Sequence, residues 1–353
     1  MSGLLLIWST SVILAAVALI WMASLILARL LRERSEALRR HDLKLIQQVF
    51  LDIMNGSGDA VGRLGSVKRR ARLMAEALLE VIALVRGAER ERLISALAAF
   101  GVDDIFRRRL FRGSLAGRIA AAEALSIFPG ERTRAALRQA MGRARAGELR
   151  VSLMRSLIEI DASPALHEVL DDLNGRRASE SLLYLPLTAR LVADDPMTAL
   201  RAFGDPQIGG DARVVLAEAL GASGDYRVLR PLCIAARAPD VELRIAAIRA
   251  LAALGHPAAE PTIRAGLNDQ VWIVRSASCE AAGRIGLHSA IPSLEGQLDD
   301  PVWWVRFRAG EALASLGRAG QNRLRAIASS GGDLSRRTAL MVLAERGLPA
   351  EAA

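Results

Sequence analysis

Four histidines, His41, His167, His256 and His288, and two cysteines, Cys233 and Cys279, are the side chains of this chain best suited to hold a metal or attack a substrate. They are scattered, and neither cysteine sits in a CxxC or other ligand spacing. No GxGxxG, P-loop, HExxH or GxSxG accompanies them. We therefore expect no metal, no cofactor and no catalytic centre, and read each cysteine as a small apolar helix residue. The residues that do recur are arginine and tryptophan. Arg213, Arg244, Arg275 and Arg306 stand 31 residues apart, and Arg336 follows at nearly the same interval. Regular arginines could clamp phosphates. One per interval, with Asp240, Asp269 and Asp300 placed just ahead, fits ion pairs and helix caps between neighbouring units better. Trp272 and Trp303 each lie three residues before one of these arginines, so they occupy equivalent positions. Both are candidate partner-binding residues, although packing over an adjacent helix is the favoured account. Trp304 is the stronger surface candidate, because Trp303 already fills the repeat position and Trp304 must point elsewhere; exposed tryptophan is favoured at interface hot spots.

The elements that position these residues follow from composition. Of 353 residues 52% are hydrophobic and 24% charged, which excludes general disorder, while aromatics make up only 4%. Abundant Ala, Leu and Arg suit helices. Aligning VELRIAAIRALAALG, VWIVRSASCEAAGRIG and VWWVRFRAGEALASLG shows one frame: Arg, an apolar residue seven on, Gly eleven on. Arg213 with Leu220 and Gly224, and Arg336 with Leu343 and Gly347, share it. Looser copies start at Arg90, Arg118 and Arg150, and one near Leu182 has lost its arginine. Each unit reads as two short helices. Ile245, Ile248, Leu251 and Leu254 place one apolar stripe on the first. Glycine ends that helix, where a left-handed backbone is needed, and proline opens the second at Pro164, Pro231, Pro261 and Pro292. Hairpins this small cannot bury their apolar faces singly, so they must stack.

The pattern from Asp269 to Gly286, and again from Asp300 to Gly317, resembles the short bacterial HEAT-like repeat, the type also found in phycobilisome lyases. The resemblance spans residues 88–347, firmly in 211–347 and more loosely in 88–180. It implies an all-α fold, an α-solenoid of HEAT-like helical hairpins, with the repeated Arg and Asp as polar rungs and one curved face for partners. It implies no particular partner. Some HEAT-like solenoids excise alkylated bases and others attach bilins; the nearest match here to the first would be Asp300 beside Trp303. That enzyme reading, and a nucleic-acid-binding module, stand as alternatives.

Ahead of the repeats, residues 1–28 carry no charged side chain, more than the roughly 20 apolar residues a helix needs to cross a bilayer. We expect a transmembrane anchor there rather than a cleaved leader, since the basic n-region is missing and the apolar run is too long. Arg29, Arg32, Arg34, Arg39, Arg40 and Lys44 follow at once, which by the positive-inside rule places the N-terminus outside and the rest in the cytoplasm, at the inner membrane. Residues 29–112 hold 18 Arg and Lys against 11 Asp and Glu, so most of the formal +9 lies beside the bilayer. Such a collar attracts anionic lipid headgroups. Lys68 to Arg70 and Arg107 to Arg109 could touch phosphates, but nothing that reads nucleic acid accompanies them, so none is expected as a partner. The domain plan is an anchor at 1–28, basic helices and a glycine-rich hinge at 29–87, repeats at 88–347 and a tail at 348–353. The function expected is a membrane-tethered scaffold or adaptor that presents the repeats to a protein, such as a membrane enzyme of envelope assembly.

Overall fold

A computed structural model describes residues 38–56, 71–174 and 181–349, with single positions between Leu19 and Arg63. Among these residues every regular element is helical. The expected span at 1–28 falls mostly outside them, as do Arg32, Arg34 and most of the glycine-rich stretch after Gly56. Among the described residues no helix is long and apolar enough to cross a membrane. The chain divides into two compact units at Ser163 and Pro164.

In the first unit residues 38–54 form α1, followed by α2 (Ala71–Leu84), α3 (Ala88–Ala99), α4 (Val102–Arg109), α5 (Leu115–Leu125), α6 (Glu131–Arg143) and α7 (Gly147–Glu159). Ile46 and Phe50 of α1 are fully buried in the same cluster as Met74, Leu78, Leu93, Phe106 and Leu137. The core thus begins well before residue 88. The reason is the apolar face of α1: each such side chain taken from water contributes about 1.5–3 kcal/mol, too much to leave it as a bare connector. α5 packs between α2 and α7.

The second unit runs α8 (Leu166–Asn174), α9 (Ser181–Asp194), α10 (Pro196–Phe203), α11 (Gly210–Ala222), α12 (Leu229–Ala235), α13 (Val241–Leu254), α14 (Glu260–Gly266), α15 (Trp272–Ile285), α16 (Ile291–Gln297), α17 (Trp303–Ser315), α18 (Gly317–Ser330) and α19 (Asp333–Glu345). The long helices α9, α11, α13, α15, α17 and α19 are successive neighbours, and α12, α14 and α16 each pack on the long helix that follows. α9, where the repeat arginine is missing, carries Pro186 inside the helix. The glycines expected to end first helices, Gly224, Gly255, Gly286, Gly317 and Gly347, all have φ between 63 and 82°. Gly221 and Gly283, two intervals apart, serve a different end. A Cβ on Gly221 would lie 2.4 Å from Ala250 Cα, and one on Gly283 2.9 Å from Ala312 Cα, so the backbones of consecutive long helices touch there.

Candidate functional site

The repeated arginines build a polar ladder through the second unit. Arg244 donates from Nε and Nη2 to the two carboxylate oxygens of Asp269, both at 3.0 Å, and from Nη1 to the carbonyls of Ala238 and Pro239. Arg275 repeats the fork on Asp300, at 2.7 and 3.1 Å, with Nη1 on the carbonyls of Asp269 and Gln270. Each aspartate also accepts the backbone N–H two residues on, Val271 or Val302, at 2.8 Å. One carboxylate therefore fixes the turn ahead of a helix and receives the arginine of the preceding hairpin. Paired, planar hydrogen bonds of this kind are the strong ones.

The ladder has ends, and here three expectations need correction. Arg306 reaches the carbonyls of Asp300 and Pro301 but finds no carboxylate, because the residue 25 further on is Gly331. Arg213 bonds the Asp205 carbonyl at 2.7 Å and does not pair with Asp240, which caps its own helix at the N–H of Glu242. The residue 25 beyond Arg213 is Ala238, so the acid is absent. Arg336 makes no rung; it pairs locally and on the surface with Asp333 at 3.3 Å. The looser copies keep the arginine's backbone link: Arg118 reaches the Leu110 carbonyl and Arg150 that of Met141, both at 2.7 Å.

Helices α15 and α17 begin at Trp272 and Trp303, which bring their rings to the surface. Trp272, Trp303 and Trp304 are 38, 42 and 51% exposed. Trp304 does not diverge from Trp303. Their rings meet edge to face at 4.6 Å, and Trp303 lies flat on Phe307 with centroids 5.2 Å apart and planes 9° apart. Positions 303 and 307 share a helix face. Phe307 was missed from the sequence, although its spacing of four from Trp303 was a readable signal. Among the described residues no ring contact joins Trp272 to this cluster.

The remaining candidates have structural occupations. Both oxygens of Asp300 are taken by Arg275 and Val302, and its side chain is only 6% exposed, so it is not placed to act as a base beside Trp303. Burial pushes the Cys279 thiol far above its ordinary range, and Cys233 is half-buried. No group of three or more His, Cys, Asp or Glu could hold a metal among the described residues. His256 caps a turn by accepting the N–H of Ala258 at 3.1 Å. Of the basic collar, Arg39 pairs with Glu76 at 2.7 Å, Arg29 with Glu33 and Arg40 with Glu36, while Lys44 is exposed. Glu218, Arg249, Glu280 and Glu311 recur at 31 residues along the long helices and link them through Arg249–Glu218, Arg308–Glu280 and Arg346–Glu311 at 3.1 to 3.9 Å. Alternating sign leaves no uniform field for an anionic or cationic ligand.

Residues 229–314, which hold the two complete rungs and the aromatic cluster, match the family described as HEAT repeats. No curated protein matches the chain. Among solved structures, the CpcE and CpcF complex of phycocyanin lyase from Nostoc sp. is 19% identical over 68% of this chain and 75% of that one, with a TM-score of 0.31. Kap121p bound to RanGTP is 12% identical over 86% of this chain, which spans 43% of it, with a TM-score of 0.42. Human deoxyhypusine hydroxylase in complex with glycerol is 18% identical over 70% of this chain and 98% of that one, at 0.25. At these scores they say nothing of what this chain binds.

Proposed function

We propose that the protein is a membrane-tethered adaptor whose HEAT repeats bind another protein through the surface around Trp303, Trp304 and Phe307. The observation that carries this is the cluster itself. Two tryptophans, both more than 40% exposed, lie against a phenylalanine at the start of a rigid helix whose own core is already complete. Neither ring is needed to fill the hairpin, and rigid aromatics lose little entropy when a partner covers them. Trp272, one interval earlier, extends the same apolar choice of residue.

The uncharged first 28 residues and the basic collar support an anchor in the inner membrane with the repeats in the cytoplasm. Tethering raises the effective concentration of a partner held at the same surface, so a contact of modest area suffices. Anionic headgroups fit Lys44 and the arginines of residues 29–40. A partner among membrane enzymes of envelope assembly is consistent with that placement.

The test is recovery of interacting proteins with the wild type and with Trp303→Ala/Trp304→Ala. Loss of a specific partner by tenfold or more, with an unchanged thermal transition, is expected. Recovery of every partner at wild-type levels by a folded double variant contradicts the assignment.

A further inference from the structure

The gap in the ladder at Arg213 coincides with a wide cleft of the second unit. Asp269 and Asp300 each stand 25 residues beyond the arginine they neutralise; the residue in that register to Arg213 is Ala238, whose methyl accepts nothing. Arg213 keeps its bond to the Asp205 carbonyl, yet its buried Nε has no acceptor. At the other gap, Arg306 and Gly331, there is no room for a side chain, since a Cβ there would lie 2.6 Å from the Ile327 carbonyl. At Arg213 there is room. Arg213 and Ala238 line a cleft of about 790 Å³ together with Phe203, Arg230, Ile234 and Arg237, and no Asp or Glu is among its lining residues. Arg230 and Arg237 are both exposed and make no ion pair among the described residues, whereas Arg264 and Arg323 on later second helices are paired with Glu260 and Glu295. Ile234, at 66% exposure, is among the most exposed aliphatic side chains described.

We propose that this cleft binds an acidic and apolar peptide segment of a partner protein, its carboxylate meeting the Arg213 guanidinium where the ladder lacks an aspartate and its neighbouring aliphatic residue lying on Ile234. The chemistry follows from the fold's own rungs. An aspartate is what this arginine position takes elsewhere, in a fork of two hydrogen bonds. Arg230 and Arg237 supply further positive charge with no acid among the cleft's lining residues, and the apolar floor rewards a carboxylate flanked by Leu, Ile or Val over a free acid. This rests on the reading of the array as a protein-binding scaffold, but the surface is separate from the tryptophan cluster.

The test pans a random dodecapeptide library on the purified full chain and measures the enriched peptides, synthesised with blocked ends, against variants. Enriched peptides with Asp or Glu beside an aliphatic residue are expected. Changing that acid to its amide, or introducing Ala238→Asp or Arg213→Gln, should each weaken binding at least tenfold, while Trp303→Ala/Trp304→Ala leaves it unchanged. Ala238→Asp should also raise the thermal transition by completing the rung, which shows that its loss of binding is not unfolding. Enriched peptides without an acid, no enrichment at all, or undiminished binding to Ala238→Asp would overturn the proposal. Binding of hexanoate alone, sensitive to Ala238→Asp, would overturn it in favour of a small carboxylate. The scaffold reading fails on a different result, full recovery of partners by the tryptophan variant.

Discussion

Asp300 shows how much one side chain carries in a stacked fold. It fixes the turn just ahead of α17 by accepting the Val302 N–H and holds the preceding hairpin through Arg275, from a side chain that is almost wholly enclosed. Removing one partner of an enclosed pair leaves the other charge unneutralised, so Asp300→Ala should cost about 3 kcal/mol in chemical denaturation. Asp300→Asn should cost less, because the amide oxygen still accepts the Val302 N–H in the turn ahead of α17. Glu123 is a second test, of opposite sign. Its burial raises its pKa; Arg155 opposes this and Glu159 reinforces it. With the folded value above the ordinary one, protonation favours the fold. That contribution is present below the ordinary carboxylate range and disappears as pH rises through the raised value. Glu123→Gln should therefore raise the thermal transition at pH 7 and change it little near pH 4. The rungs were legible from sequence because they join two polar types repeated at fixed distance. Phe307 and Ala238 carry weaker signals: the spacing of four from Trp303 marks a shared face without fixing the ring contact, and a missing acid is seen only once the 25-residue register of the rungs is known.

At the scale of elements, the 3.6-residue stripe of Ile245, Ile248, Leu251 and Leu254 identified α13 correctly, and all four are buried. The stripe understated the packing. Leu243, Ala246, Ala247, Ala250 and Ala252 are buried as well, because a helix in mid-array has neighbours on more than one side. Alanine and glycine, which carry little hydropathy signal, set how near those neighbours come. Gly221→Ala places a methyl against the α13 backbone and should destabilise by about 1–3 kcal/mol, since the helices must part. Gly255→Ala meets no atom within 4 Å and strains only its own backbone, at φ 69°, for about 1 kcal/mol. Equilibrium unfolding of the two variants separates interhelix crowding from backbone strain. The amphipathic face of α1 was readable too; its membership of the first unit's core was not, because periodicity names a buried face without naming what buries it.

For the whole molecule, serial hairpins account for a chain with few aromatics and a large apolar fraction: each unit hides its face against the next. The functional reading adds two predictions at this scale. Full-length protein should remain with membranes through alkaline carbonate extraction, and deletion of residues 1–28 should release it; extraction of the intact chain would remove the anchor from the account. The central claim, that the tryptophan cluster is where a partner sits, is tested most directly by placing a photoreactive benzophenone side chain at Trp304 or at Arg337, whose side chain is 74% exposed, and irradiating intact cells. A discrete protein adduct from position 304 that is absent from 337 is the predicted result. Equal adducts from both positions, or none from 304 in a folded and expressed protein, would contradict it.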